Sequence, residues 1–102
     1  MKIITNKKLK EECWNVNYEL ESWLNEHLKL FLEDASKHID LKFHKFDYKD
    51  EVYTLEDLII KLIGITEYLK TYHFEWNDCE KLDQYKNDMY EILNMIHFYL
   101  WW

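Results

Sequence analysis

Residues 39–54 read Ile39-Asp40-Leu41-Lys42-Phe43-His44-Lys45-Phe46-Asp47-Tyr48-Lys49-Asp50-Glu51-Val52-Tyr53-Thr54. Ile39, Leu41 and Phe43 alternate with Asp40, Lys42 and His44. Phe46 and Tyr48 then alternate with Asp47 and Lys49. Period-two alternation rich in aromatic and β-branched residues is a strand signal. The stretch predicts a β-hairpin with strands at about 39–48 and 51–54, turning at Lys49-Asp50. The turn lacks the Asn-Gly pair that would by itself specify a tight hairpin.

On both sides the period becomes helical. Upstream, Leu9, Cys13, Val16, Leu20, Trp23, Leu24, His27, Leu28, Phe31 and Ala35 step by threes and fours. That spacing predicts a first helix over about 6–36 with this set on its buried face. Thr5 or Asn6 can cap it. Downstream, Thr54-Leu55-Glu56-Asp57 resembles a capping box, although Asp57 stands where Glu or Gln is usual. It opens a second helix at about 55–73, whose face is Leu55, Leu58, Ile59, Leu62, Ile63, Leu69 and Tyr72. Ile60 and Ile65 widen that face, so this helix is expected to be the most buried. Gly64 lies within it and suggests close packing against a neighbour. Asn77-Asp78-Cys79-Glu80 starts a third helix, at about 78–100, with Asn77 as cap. Its face is Leu82, Tyr85, Met89, Ile92, Leu93, Ile96 and Leu100. The expected fold is a single, mostly α domain over 1–102: a three-helix bundle with a β-hairpin between the first and second helices. It becomes α+β if Ile3-Ile4 adds a third strand.

Composition narrows the function classes. The 102 residues contain one glycine and no proline. Phosphate-cradling loops and nucleophile elbows need glycine, so one glycine leaves no room for a P-loop, a dinucleotide fingerprint or a Gly-x-Ser-x-Gly elbow. Aromatic residues make up 18% of the chain, which argues against disorder. Every one of the 13 basic residues is lysine, and the formal net charge is -7. Bidentate reading of phosphate or guanine is an arginine speciality, and phosphate attraction needs the opposite net charge. Direct nucleic-acid binding is therefore not expected. The abundance of Asn, Ile, Tyr and Lys also suggests an AT-rich genome.

No stretch approaches the ~18 apolar residues of a membrane span, and residues 1–9 hold no sustained apolar run. Cys13 and Cys79 match no ligand spacing. The expected setting is a reducing cytoplasm, with both thiols free.

No histidine stands in a metalloprotease or zinc-finger frame. His38, Asp40 and His44 share one parity on the expected first strand, and the simpler reading is a solvated strand face. His27 falls on the apolar face of the first helix and is expected to be a satisfied core histidine. No catalytic residue, metal site or cofactor is assigned.

Two features point to binding instead. Glu12, Glu19, Glu26 and Glu33 recur every seven residues on the first helix, a row with members about 10 Å apart. Further carboxylates gather at Asp47, Asp50 and Glu51 around the hairpin tip. The row reads either as a solvated helix face or as a landing surface for a basic partner, where its field would speed association. The second feature is the terminal pair Trp101-Trp102. Consecutive helical residues point about 100° apart, so both rings cannot face one core. They read either as the bundle's end or as hot-spot anchors.

The opening Met1-Lys2-Ile3-Ile4-Thr5-Asn6-Lys7-Lys8-Leu9-Lys10 looks like the start of many small phage proteins from low-GC Gram-positive hosts. The short, acidic, arginine-free, aromatic profile is similar to that of phage-encoded inhibitors of host defence such as anti-CRISPR proteins. The resemblance implies a stoichiometric, non-enzymatic inhibitor of a basic host protein, for example a CRISPR nuclease such as Cas9. The same charge would suit an antitoxin or bacteriocin immunity protein that neutralises a basic toxin. A homodimer stays open.

Overall fold

The hairpin turns where the alternation predicts it. In the computed structural model, which describes residues 16–71 and 79–101, the chain runs α1 (Val16–Ala35), β1 (Lys45–Tyr48), β2 (Glu51–Thr54), α2 (Leu55–Thr71), α3 (Cys79–Ile96) and a 3-10 turn (His97–Tyr99). The fold is mostly helical, with an antiparallel two-stranded hairpin between the first and second helices. The Ile3-Ile4 strand, the first helix before Val16, the second helix beyond Thr71 and the Asn77 cap fall outside the described residues.

β1 pairs with β2 from Lys45↔Thr54 to Tyr48↔Glu51. Lys49 and Asp50 both take positive φ, 50° and 63°. A tight hairpin turn needs this at both central residues, and side chains other than glycine pay about 1 kcal/mol or more for it. The tip has a compensating contact. Lys49 Nζ lies 2.8 Å from the Asp88 carboxylate on α3, so the strained residue also ties the hairpin to the third helix.

The expected first strand starts six residues too early. Residues 39–44 form turns, not strand. The cause is Asp40. Its Oδ1 accepts the Lys42 amide at 3.0 Å and its carbonyl accepts the Phe43 amide at 3.2 Å. An Asx turn of this kind takes donors that a sheet ladder would need. The alternation of Ile39, Leu41 and Phe43 is real, but only Leu41 is buried. The shared strand parity of His38, Asp40 and His44 therefore does not exist.

That turn completes the start of α2. The first helical amides have no partner within the helix. Here Leu55 N–H donates to the His44 carbonyl and Glu56 N–H to the Leu41 carbonyl, both at 3.0 Å. Asp57 N–H donates to Thr54 Oγ1 at 3.1 Å, and Thr54 N–H donates back to Asp57 Oδ2 at 3.1 Å. The capping box closes in both directions with aspartate in place of glutamate.

α2 is the most buried helix, as expected. Leu55, Leu58, Ile59, Leu62, Ile65, Thr66 and Leu69 are all inside. α1 packs on one flank of it and α3 on another, and these two helices barely touch each other. Leu24, Leu28 and Ala35 enter the core from α1, and Met89, Ile92 and Ile96 enter from α3. Asn25 is fully buried at the α1–α2 contact. Its Nδ2 donates to the Ile63 carbonyl and to Thr66 Oγ1, each at 3.1 Å.

Three further expectations are corrected. The buried face of α1 is rotated: Val16, Leu20, Trp23 and His27 are exposed, and Asn25 is buried instead. α2 covers only one flank of α1, and the Asn25 bonds fix which flank that is. α3 ends at Ile96 instead of running on to residue 100. The 3-10 turn brings the Tyr99 ring to 4.7 Å from His44 and 5.1 Å from Phe46. Gly64 marks no close approach, because a Cβ built there meets nothing within 4 Å.

Two stability outcomes are expected. Gly64→Ala adds helix propensity without a clash and should stabilise the fold by about 0.5–1 kcal/mol in urea unfolding. The second concerns Asp88. Burial works to raise its carboxyl, but hydrogen bonds from Lys49 and Gln84 overcome this and hold it below the usual carboxylate value. A carboxyl lowered by folding supplies stability above its unfolded pKa of about 3.9 and loses it as pH falls through the folded value. Asp88→Asn should cost about 1–3 kcal/mol at pH 7 and flatten the acid limb of the stability profile below pH ~4. An unchanged acid limb would show that the Lys49–Asp88 contact does not hold the tip.

Candidate functional site

The acidic row lies on the face of α1 turned away from α2. Glu26 and Glu33 are exposed and Glu19 is half-buried. At 100° per residue the three carboxylates drift only about 40° around the axis. They are nearly opposite Leu24, Leu28 and Ala35, the residues that face α2. Glu12 falls outside the described residues.

Helix stability does not explain the whole row. Glu33 and Asp34 sit in the last turn of α1, which has no basic residue. The dipole disfavours carboxylates there, by about 0.3–1 kcal/mol each at an exposed site. By contrast, Glu67 on α2 is used structurally: it takes Lys29 of α1 at 3.0 Å, and that contact lowers its carboxyl below the usual value despite an opposing effect of burial.

Beside the row runs an apolar stripe. Val16 is 62% exposed, Trp23 56% and Leu30 60%, and Leu20 is also exposed. His27 lies in the same stripe and stacks on Trp23, with ring centroids 3.9 Å apart and planes 18° apart. Its Nδ1 is 2.8 Å from the Trp23 carbonyl. His27 is thus a surface residue held by its own helix, not a core histidine. On average the stripe lies about a quarter turn from the carboxylates.

Leu20 continues into a cavity of about 250 Å³ between α1 and α3, which also touches Leu69, Leu82 and Met89. The cavity opens because these helices hardly meet. Glu21 lies at its edge, and burial pushes its carboxyl up.

The hairpin carboxylates form a separate group. Asp47, Asp50 and Glu51 are exposed. Glu51 accepts the Tyr53 hydroxyl at 2.7 Å. Their hairpin packs on α2 and reaches α3 through Lys49, whereas α1 lies on a different flank of α2. The structure does not join these carboxylates to the row on α1.

The aromatic end is a third surface. Trp101 is 74% exposed and Phe98 83%. With Phe43, His44 and Tyr99 they surround a cavity of about 630 Å³. Of the terminal pair, Trp101 is thus at the surface, and Trp102 falls outside the described residues. Among the described residues, no group of three His, Cys, Asp or Glu side chains is placed to hold a metal ion. No helix among them is long and apolar enough to cross a membrane.

The seven-residue spacing of the glutamates is legible in the sequence, but the stripe is not: the three-four periodicity places Val16, Leu20, Trp23 and His27 in the core and leaves Leu30 unmarked. The usable signal was excess width. Apolar residues on the first helix occupy two seams, one through 24, 28, 31 and 35 and one through 16, 20, 23, 27 and 30. Among the described residues α1 packs chiefly on α2, which buries only one.

No protein-family model, curated protein or solved structure matches the chain.

Proposed function

We propose that the protein is a stoichiometric inhibitor that binds a basic host protein, with a nuclease such as a CRISPR effector as the target class, and that a phage or prophage encodes it. The observation that carries this reading is the outer face of α1, where Glu26 and Glu33 are exposed next to Trp23 and Leu30. Exposed carboxylates steer a basic partner over a distance of about a Debye length. Apolar surface next to them supplies the short-range burial that charge alone does not give. A nuclease that grips a phosphate backbone carries the complementary charge by necessity.

The mechanism is occupation. The carboxylates bring the basic surface in, the tryptophan and leucines lose water against it, and nucleic acid is excluded from the covered area. No bond is made or broken in this account.

The test pairs the purified chain with a basic CRISPR nuclease such as Cas9. A one-to-one complex should form, cleavage should fall in proportion to occupancy, and affinity should weaken as salt rises. Glu26→Lys with Glu33→Lys should slow association about tenfold at low salt, and the difference should shrink at high salt. A complex indifferent to both salt and charge reversal would contradict the electrostatic reading.

A further inference from the structure

The exposed stripe and the acidic row share one register. Val16, Leu20, Trp23, His27 and Leu30 are separated by four, three, four and three residues. That is the a/d spacing of a coiled-coil seam, with Leu20 and His27 at a and Val16, Trp23 and Leu30 at d. In this frame Glu19, Glu26 and Glu33 all fall at g, the flanking position that selects the partner by charge. The opposite flank, e, holds Asn17, Leu24 and Phe31. Leu24 is buried and Phe31 is half-buried in the core next to α2. The seam therefore has one free edge, and among the described residues that edge is wholly acidic.

We infer that the outer face of α1 is a coiled-coil half-site that receives a basic amphipathic helix from the partner. This rests on the proposed docking of a basic protein at α1 and names the element that docks. A seam of 15 residues spans about 21 Å, enough for two heptads of contact. The incoming helix carries apolar residues at its own a/d positions and Lys or Arg on the edge that meets Glu19, Glu26 and Glu33. His27 is the polar a position, and its stack on Trp23 fixes both rings. A polar residue at a sets register at some cost in affinity.

Charge favours a basic helix over a second copy of this chain. An antiparallel pair would set the glutamate row against itself. A parallel pair would set it against Asn17, Leu24 and Phe31, which offer no cation. Like charges across an interface penalise the wrong partner.

The experiment titrates the full chain with two designed 21-residue peptides. Both have Ile at a and Leu at d; one carries Lys at every e and g, the other Glu. The Lys peptide should bind one to one and gain helicity, and the Glu peptide should not. Trp23→Ala with Leu30→Ala should weaken the Lys peptide about tenfold or more, as should Glu26→Lys with Glu33→Lys. Reversal of Asp47 and Glu51 on the hairpin should leave binding unchanged and serves as the charge-matched control. Equal binding of both peptides, no binding of either, or equal loss from the hairpin reversal would overturn the half-site. A stable homodimer dissociated by Trp23→Ala would overturn it as well. Peptide binding without nuclease inhibition would remove the inhibitor reading and leave the half-site standing. Salt-sensitive nuclease inhibition that ignores Trp23→Ala and Leu30→Ala would do the reverse.

Discussion

Burial of α2 is the constraint on which the other elements depend. Leu55, Leu58, Ile59, Leu62, Ile65 and Leu69 bury too much apolar surface for one neighbour to cover. A fully buried Leu or Ile gains about 1.5–3 kcal/mol over an exposed one, so this helix organises whatever is near it. α1 takes one flank, α3 another, Tyr48 covers α2 near Gly64 and Ile65, and Leu41 closes the end where α2 begins. The same end satisfies its orphan amides through His44, Leu41 and Thr54. Hairpin, turn and helix start form one unit.

A hub arrangement has consequences for its spokes. Because α1 and α3 each spend their contacts on α2, they share almost none. A cavity remains between them, and Val16, Trp23 and Leu30 on the far side of α1 are exposed. That far side is where sequence reading and structure part company. An apolar residue every three or four positions says that a helix has a wet side and a dry side. It does not say how many dry sides there are, nor which one the fold itself covers. Asn25 settles the matter in the folded chain, since its bonds to Ile63 and Thr66 leave Trp23 and Leu30 outside.

Elsewhere, legibility followed the strength of the local chemistry. The α2 start was readable because Thr54 and Asp57 stand at capping-box spacing. The hairpin turn was readable from the break in alternation at Lys49-Asp50, even without glycine. The early strand start was a fair inference that Asp40 defeats, because one side-chain acceptor outcompetes the ladder. Gly64 misled for the opposite reason: a lone glycine in a helix invites a packing explanation that the open space around it denies. Lys49–Asp88 joins residues 39 apart in sequence and leaves no local trace. The acidic row was visible at once, but its meaning depended on the stripe beside it, which only the fold exposes.

All of this turns on the outer face of α1 being wet in the free chain. Hydroxyl-radical footprinting of the isolated protein in dilute solution measures this directly. Side-chain oxidation should be fast at Trp23 and Leu30 and slow at Leu24 and Leu28, neighbours on the same helix that face α2. Protection of Trp23 and Leu30 equal to that of Leu28 would mean that the stripe is already covered, and the seam would not be a docking surface.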